Sequence, residues 1–329
     1  MNKLVDEALL EVSELKKHFP MKKKWRQKLP TVVKAVDGVS FSIKKGKTLG
    51  IVGESGSGKS TVANLILQLE EPTEGAVFFH GENLFTLSKG SNRDMRKHLQ
   101  AIFQDPYASL NPRMTAKHIV TEPLTLHKQL LNKNINEKAL ELLKEVGLGK
   151  EHLNRYPHEF SGGQRQRLSI ARALSLKPDL IICDEAVSAL DVSIQAQILN
   201  LLKTLQKNYG IAYIFIAHGL PAVKHISDRI AIMYAGKIVE LADREQLFSN
   251  PKHPYTKALL DAIPPSDPFN RKERLVLKGD PPSTIDPPQG CAFHPRCPYA
   301  QEKCKRDTPT LEEQANGNSF ACHFPLPDS

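Results

Sequence analysis

The stretch "TLGIVGESGSGKSTVANLILQLE", residues 48–70, decides the fold. It opens on an apolar run of buried-strand type, passes through a glycine-rich turn, and continues with apolar residues at helical spacing until Pro72 stops it. At the junction, "GESGSGKS" (residues 53–60) fits G-x-x-x-x-G-K-[ST], in the strand–turn–helix context where that pattern binds phosphate. Gly53, Gly56 and Gly58 let backbone N–H groups turn inward, and the helix N-terminus adds partial positive charge. Lys59 is placed to reach the β- and γ-phosphates and the Ser60 hydroxyl to hold Mg²⁺, with Glu54, Ser55, Ser57 and Thr61 completing the contact loop. A bare glycine-rich turn is the competing reading, which the flanking strand and helix disfavour.

Further along, "LIICDE" (residues 180–185) is an apolar strand ending in two carboxylates, the position where open α/β sheets bind ligands. Asp184 suits a Mg²⁺ ligand and Glu185 suits a group that orients or deprotonates water, while Cys183 reads as packing. Around these two motifs, residues 31–53 predict strand, turn and strand. A helix runs from about Ser193 to Asn208, and "AYIFIA" (212–217) makes another buried strand. The middle, roughly 105–175, is rich in helix formers. Alternation of this kind predicts an α/β fold with a mostly parallel sheet and a helical insertion.

"FSGGQRQRLSIARAL" (160–174) offers a second anion-holding helix start, with Ser161 as N-cap and Gly162 and Gly163 leaving the backbone open. Alone, Ser-Gly-Gly is more often a plain helix start. Taken in order with residues 53–60, "LIICDEAVSALD" and "FIAHGL", it makes residues 10–250 resemble the nucleotide-binding subunit of an ABC transporter. The resemblance implies a P-loop (RecA-like) core with an antiparallel β subdomain and a helical subdomain. It also implies that Ser161, Gly162, Gly163 and Gln164, with Asp191 of the D-loop, meet ATP held by a partner in a head-to-tail pair. Gln104 matches the Q-loop glutamine on Mg²⁺, His218 the switch histidine, and Phe19 the adenine-stacking aromatic, for which Trp25 is a weaker candidate. The family usually has Asp after the switch histidine; this chain has Gly219.

"QDPYASLNPRMT" (104–115), "HPYTKALLDAIP" (253–264) and "CAFHPRCP" (291–298) narrow the resemblance to ATPases of bacterial oligopeptide and dipeptide importers, in the F-type form that pairs with a second, similar ATPase. This implies a heterodimer, two integral membrane permease subunits, an extracytoplasmic substrate-binding protein, and a place on the cytoplasmic face of the membrane. Nickel and other solute importers share much of the pattern. The expected division is 1–250 as the nucleotide-binding domain and 251–329 as an extension.

Composition agrees with a soluble globular chain: 40% hydrophobic and 25% charged residues in 329, and no apolar run long enough to span a bilayer. The N-terminal residues mix charges throughout and have no apolar signal core, which reads as cytosolic. The net charge of +9 is dense at "KKKWRQK" (22–28), a solvated loop by default, with nucleic acid or anionic lipid headgroups as the specific alternatives. A soluble ABC ATPase acting on nucleic acid or the ribosome is the rival class. The single compact cassette opposes it, and nucleic acid is not expected as a partner.

More than half of the 23 prolines lie beyond residue 250, which predicts that the extension does not lengthen the sheet. It carries four of the five cysteines, Cys291, Cys297, Cys304 and Cys322. Their spacing lacks the C-x₂-C knuckles usual for structural zinc. The resemblance implies a [4Fe–4S] cluster, with Zn²⁺ second and reduced, metal-free thiols as the plain alternative.

Overall fold

The computed structural model describes residues 8–21, 32–130, 134–217, 219–263, 279–280, 282–283, 285 and 287–328. The expectations for His218, Trp25 and the 22–28 cluster fall outside them. The chain forms two compact units. One holds Lys44–Thr48 and Thr86–Ile216; the other holds Ala8–Ile43, Leu49–Phe85 and Ala217–Ser329.

In the second of these, β1 (Leu10–Pro20) lies between β2 (Val32–Ile43) and β4 (Glu74–Phe79), with β5 (Glu82–Asn83) beyond, all antiparallel. Alternation puts Val36, Val39, Phe41 and Ile43 into the core with Leu10, Val12 and Leu15. The apolar run at residue 48 forms β3 (Thr48–Val52), buried along its whole length and parallel to β9 (Arg229–Tyr234). A tight turn at Ala235 and Gly236, both at positive φ (46° and 82°), folds β9 back onto β10 (Lys237–Asp243). Helix α1 (Lys59–Ile66) follows the glycine loop and ends sooner than its apolar spacing predicts. Gln68 takes a left-handed φ of 55° and its side-chain amide donates to the Leu84 carbonyl, so the backbone leaves the helix well before Pro72.

The extension corrects one expectation, because it does lengthen the sheet. β12 (Ser319–Phe320) pairs with β10 through Glu240↔Phe320 and Leu241↔Ser319, and β11 (Glu312–Glu313) pairs with β12. Prolines forbid long strands, yet two residues between proline-containing stretches suffice to add an edge. Helices α8 (Leu220–Ile226), α9 (Arg244–Ser249), α10 (Pro254–Asp261) and α11 (Glu302–Arg306) complete this unit.

The other unit is built on three parallel strands, β6 (Leu99–Ile102), β7 (Leu180–Asp184) and β8 (Ala212–Ala217), with β7 between its two partners. α7 (Val192–Tyr209) links β7 to β8 and matches the predicted helix within one residue at each end. Between β6 and β7 come α3 (Pro106–Ser109), α4 (Ala116–Leu126), α5 (Ile135–Glu145) and α6 (Gly162–Leu174), the predicted helical insertion; α2 (Lys89–His98) precedes β6.

Where the extension begins, its first helix is anchored by buried polar groups. The Glu240 carboxylate accepts the backbone N–H groups of Lys252 (2.7 Å) and His253 (2.9 Å), and His253 Nδ1 accepts the N–H of Tyr255 (3.0 Å), capping α10. Burial pushes the His253 pKa down to about 3, so the ring is neutral. Between that value and the usual His pKa near 6.5 the unfolded chain binds a proton that the folded chain does not, so stability is lost as pH falls below about 6.5. Burial moves the Glu240 carboxyl upward, and that group works in the opposite sense. Thermal melting from pH 8 to pH 5 is expected to show the His253 loss approaching about 1.4 kcal/mol per pH unit. In His253→Asn, which keeps an N-cap acceptor, the acid-side slope flattens; an unchanged slope refutes the assignment.

Candidate nucleotide site

Each unit carries part of the predicted machinery. In the unit built on β3, residues 53–60 wrap the start of α1. Gly58 sits at φ 102°, and a Cβ there would stand 2.1 Å from the Ala35 carbonyl oxygen, so only glycine fits. The helix has no side-chain N-cap and no acid in its first turn, which leaves its positive end for an anion. Lys59, 4% exposed, bends over its own loop and donates to the carbonyls of Gly53 (2.8 Å) and Glu54 (2.9 Å) and, at 3.4 Å, to Ser57 Oγ. The hairpin turn supports the loop from behind, where Gly236 N–H donates to the Ser57 carbonyl at 3.0 Å. Ser55, Gly56 and Ser60 are exposed and Thr61 is half-buried. A cavity of about 250 Å³ opens beside Glu54, Ser55, Gly56 and Ser57, walled by Tyr234, Ala235, Pro282, Ser283 and Ile285. Phe19, at the end of β1, is half-buried with Lys17 Nζ 4.8 Å from its ring centre.

Sequence reasoning missed the residues that grip this loop from the extension. Tyr255 Oη accepts the Glu54 N–H at 3.0 Å, and Arg296 holds the Glu54 carboxylate with both terminal nitrogens, at 2.8 and 3.0 Å. The only signal was that both lie in the quoted stretches "HPYTKALLDAIP" and "CAFHPRCP".

The other unit carries the carboxylates. Asp184 closes β7 half-buried, and Glu185 follows at 7% exposure with a left-handed φ of 51°. A non-glycine residue tolerates that φ only when its surroundings hold it. Here Glu185 N–H donates to the Ile216 carbonyl at 2.9 Å, and its own carbonyl accepts Ser188 N–H (3.1 Å) and Oγ (3.0 Å). Since Ile102 pairs with Cys183, Gln104 leaves β6 at the same strand end, and it is exposed.

Ser161 caps α6 as predicted. Its Oγ accepts Gln164 N–H (3.4 Å), and Gln164 Oε1 accepts Ser161 N–H (3.0 Å), a reciprocal capping box. Gly163 is required by packing, because a Cβ there would lie 2.6 Å from Ile194 of α7. The helix's arginines staple neighbouring loops: Arg165 reaches the Pro157 carbonyl and lies 5.2 Å over Tyr107, Arg167 reaches Val146, and Arg172 reaches Ser109. Ser161 and Gly162 are exposed, as are Asp191 and, at 82%, Val192. Gly219 precedes α8 in extended backbone, φ −94°.

Cys291, Cys297, Cys304 and Cys322 line one small cavity with Phe293, Tyr299, His323 and Phe324. Burial pushes the Cys291 and Cys297 thiols upward and that of Cys322 to about 12. Among the described residues, no three of these sulphurs come within 4.8 Å of one another.

Comparison with known proteins places this geometry. Residues 36–188 match the family model for ABC transporters, and residues 239–304 match the one described as the oligopeptide/dipeptide transporter C-terminal region. The oligopeptide transport ATP-binding protein AppF of Bacillus subtilis is 52% identical over 97% of this chain and 98% of its own length. OppF of Salmonella typhimurium, an oligopeptide transport ATP-binding protein, is 50% identical over 95% and 96%, and the dipeptide transport ATP-binding protein DppF of Haemophilus influenzae is 50% identical over the same shares. Among solved structures, a dimer of the ATP-binding cassette MJ0796 in a post-hydrolysis state, bound to ADP and Pi, superposes with a TM-score of 0.63 at 29% identity, over 71% of this chain and 98% of that one. The chain therefore belongs to the ABC transporter ATPases that use ATP with Mg²⁺, in the branch of the oligopeptide and dipeptide transport ATP-binding proteins.

Proposed function

We propose that this chain hydrolyses ATP on the cytoplasmic face of a bacterial membrane to drive import of oligopeptides or dipeptides. The observation that carries the reading is the loop at residues 53–60, an open helix start with a buried lysine folded across it. Lys59 exchanges its loop carbonyls for the β- and γ-phosphates when the triphosphate enters. By the family resemblance Ser60, Asp184 and Gln104 would be the Mg²⁺ ligands, and the ion would supply positive charge for the phosphoryl oxygens. Glu185 orients and deprotonates the attacking water with His218 beside the γ-phosphate, and Phe19 stacks on the base.

Ser161, Gly162, Gly163, Gln164 and Asp191 serve a nucleotide held by a second ATPase in a head-to-tail pair. The exposure of Ser161, Gly162 and Asp191 supports this, as does the dimeric form of the MJ0796 cassette. Among the described residues no helix is long and apolar enough to cross a membrane, so two separate permease chains would carry the solute, supplied by an extracytoplasmic binding protein. The cassette is assigned to 1–250 and the extension to 251–329. Four thiols around one cavity support an iron–sulphur cluster on Cys291, Cys297, Cys304 and Cys322, with Zn²⁺ as the second choice. Such a group would order a proline-rich segment with little core of its own.

Glu185→Gln is expected to lower kcat for ATP hydrolysis by about 10²–10⁴-fold while ATP binding persists; unchanged turnover refutes the assignment. Ser161→Arg is expected to bind ATP at its own loop yet abolish turnover at the interface it shares with its partner, measured in the assembled transporter. Chain purified without oxygen is expected to contain iron and to absorb in the visible, and a colourless, iron-free preparation removes the cluster.

A further inference from the structure

Glu54 is an anion placed in the loop that must take an anion. A carboxylate in a phosphate cradle repels the triphosphate unless its charge is cancelled. The structure supplies a dedicated counter-charge. Arg296, its side chain 8% exposed, forms a two-pronged bond to Glu54, and one prong also donates to Tyr234 Oη at 3.3 Å. The hydrogen bond to Glu54 in turn raises the Arg296 pKa further above its already high ordinary value. The arginine is held for this task. It ends a 3₁₀ turn, His294–Arg296, set between Cys291 and Cys297, whose preceding residue Phe293 is 1% exposed against the rings of Tyr234, Tyr255 and His253.

Every polar backbone and side-chain group of Glu54 is thereby engaged. Its N–H goes to Tyr255, its carbonyl accepts Ser57 N–H and Lys59 Nζ, and its carboxylate goes to Arg296. Two of these three grips come from the extension. We propose that Arg296 is a positioning residue of the nucleotide site, neutralising Glu54 and holding the loop open, so that the extension sets the affinity for ATP. The inference rests on the reading of residues 53–60 as the phosphate loop.

The test is a double-mutant cycle on the full chain, read as ATP affinity by competition with a fluorescent ATP analogue. Arg296→Gln is expected to weaken ATP about tenfold, because it leaves the Glu54 carboxylate unpaired beside the phosphates. In a Glu54→Gln background the same change is expected to cost less than about twofold. Arg296→Lys, which keeps the charge and loses the fork, should fall between parent and Arg296→Gln, and it carries the comparison if Arg296→Gln does not fold. Parent-like affinity in Arg296→Gln, or an equal loss in both backgrounds, overturns the proposal. Lys59→Ala separates the two claims: if it too binds like the parent, the phosphate-loop reading falls and this proposal with it.

Discussion

A loop that binds phosphate through backbone N–H groups has to stay open in a shape no ordinary side chain permits, and it cannot hold that shape by itself. The packing around residues 53–60 answers this constraint. Gly58 leaves no room for a Cβ against Ala35, the hairpin turn at Gly236 pins Ser57 from below, and Lys59 ties the loop's first two carbonyls together. Tyr255 and Arg296 close the ring on Glu54. Engagement of this kind fixes the amides in place, and on the proposed reading of the loop that preorganisation is where its electrostatic advantage lies.

The carboxylate end follows a similar logic. Glu185 is forced into left-handed backbone by its bond to Ile216 and by Ser188 folding back on its carbonyl, so its position is set by the β7–β8 pairing. The arginines of α6 tether the segment after Gln104 through Tyr107 and Ser109 to the same helix that Ser161 caps.

Much of this was legible because the signals are local. A glycine loop between an apolar strand and an apolar-periodic helix, or a strand ending in Asp184 and Glu185, needs no knowledge of the rest of the chain. Helix starts are equally local: "SGGQ" contains both members of its capping box. The end of α1 was not readable, since the apolar spacing continues past Ile66 and only the Gln68 backbone and its bond to Leu84 reveal the exit. Nor was the edge strand Ser319–Phe320, because two residues carry no periodicity. The grip of Arg296 on Glu54 was hidden for a deeper reason. It is a pairing of charges 242 positions apart, and nothing in either neighbourhood names the other.

That separation has a consequence for how the molecule is made. While the chain is being synthesised, the cradle and its helix emerge early, but the counter-charge for Glu54 is added only after a further 242 residues. A polypeptide halted before residue 296 thus leaves the Glu54 carboxylate without its arginine partner. On the proposal that Arg296 sets the affinity for ATP, competence to capture fuel arrives late in translation, when the turn His294–Arg296 has docked.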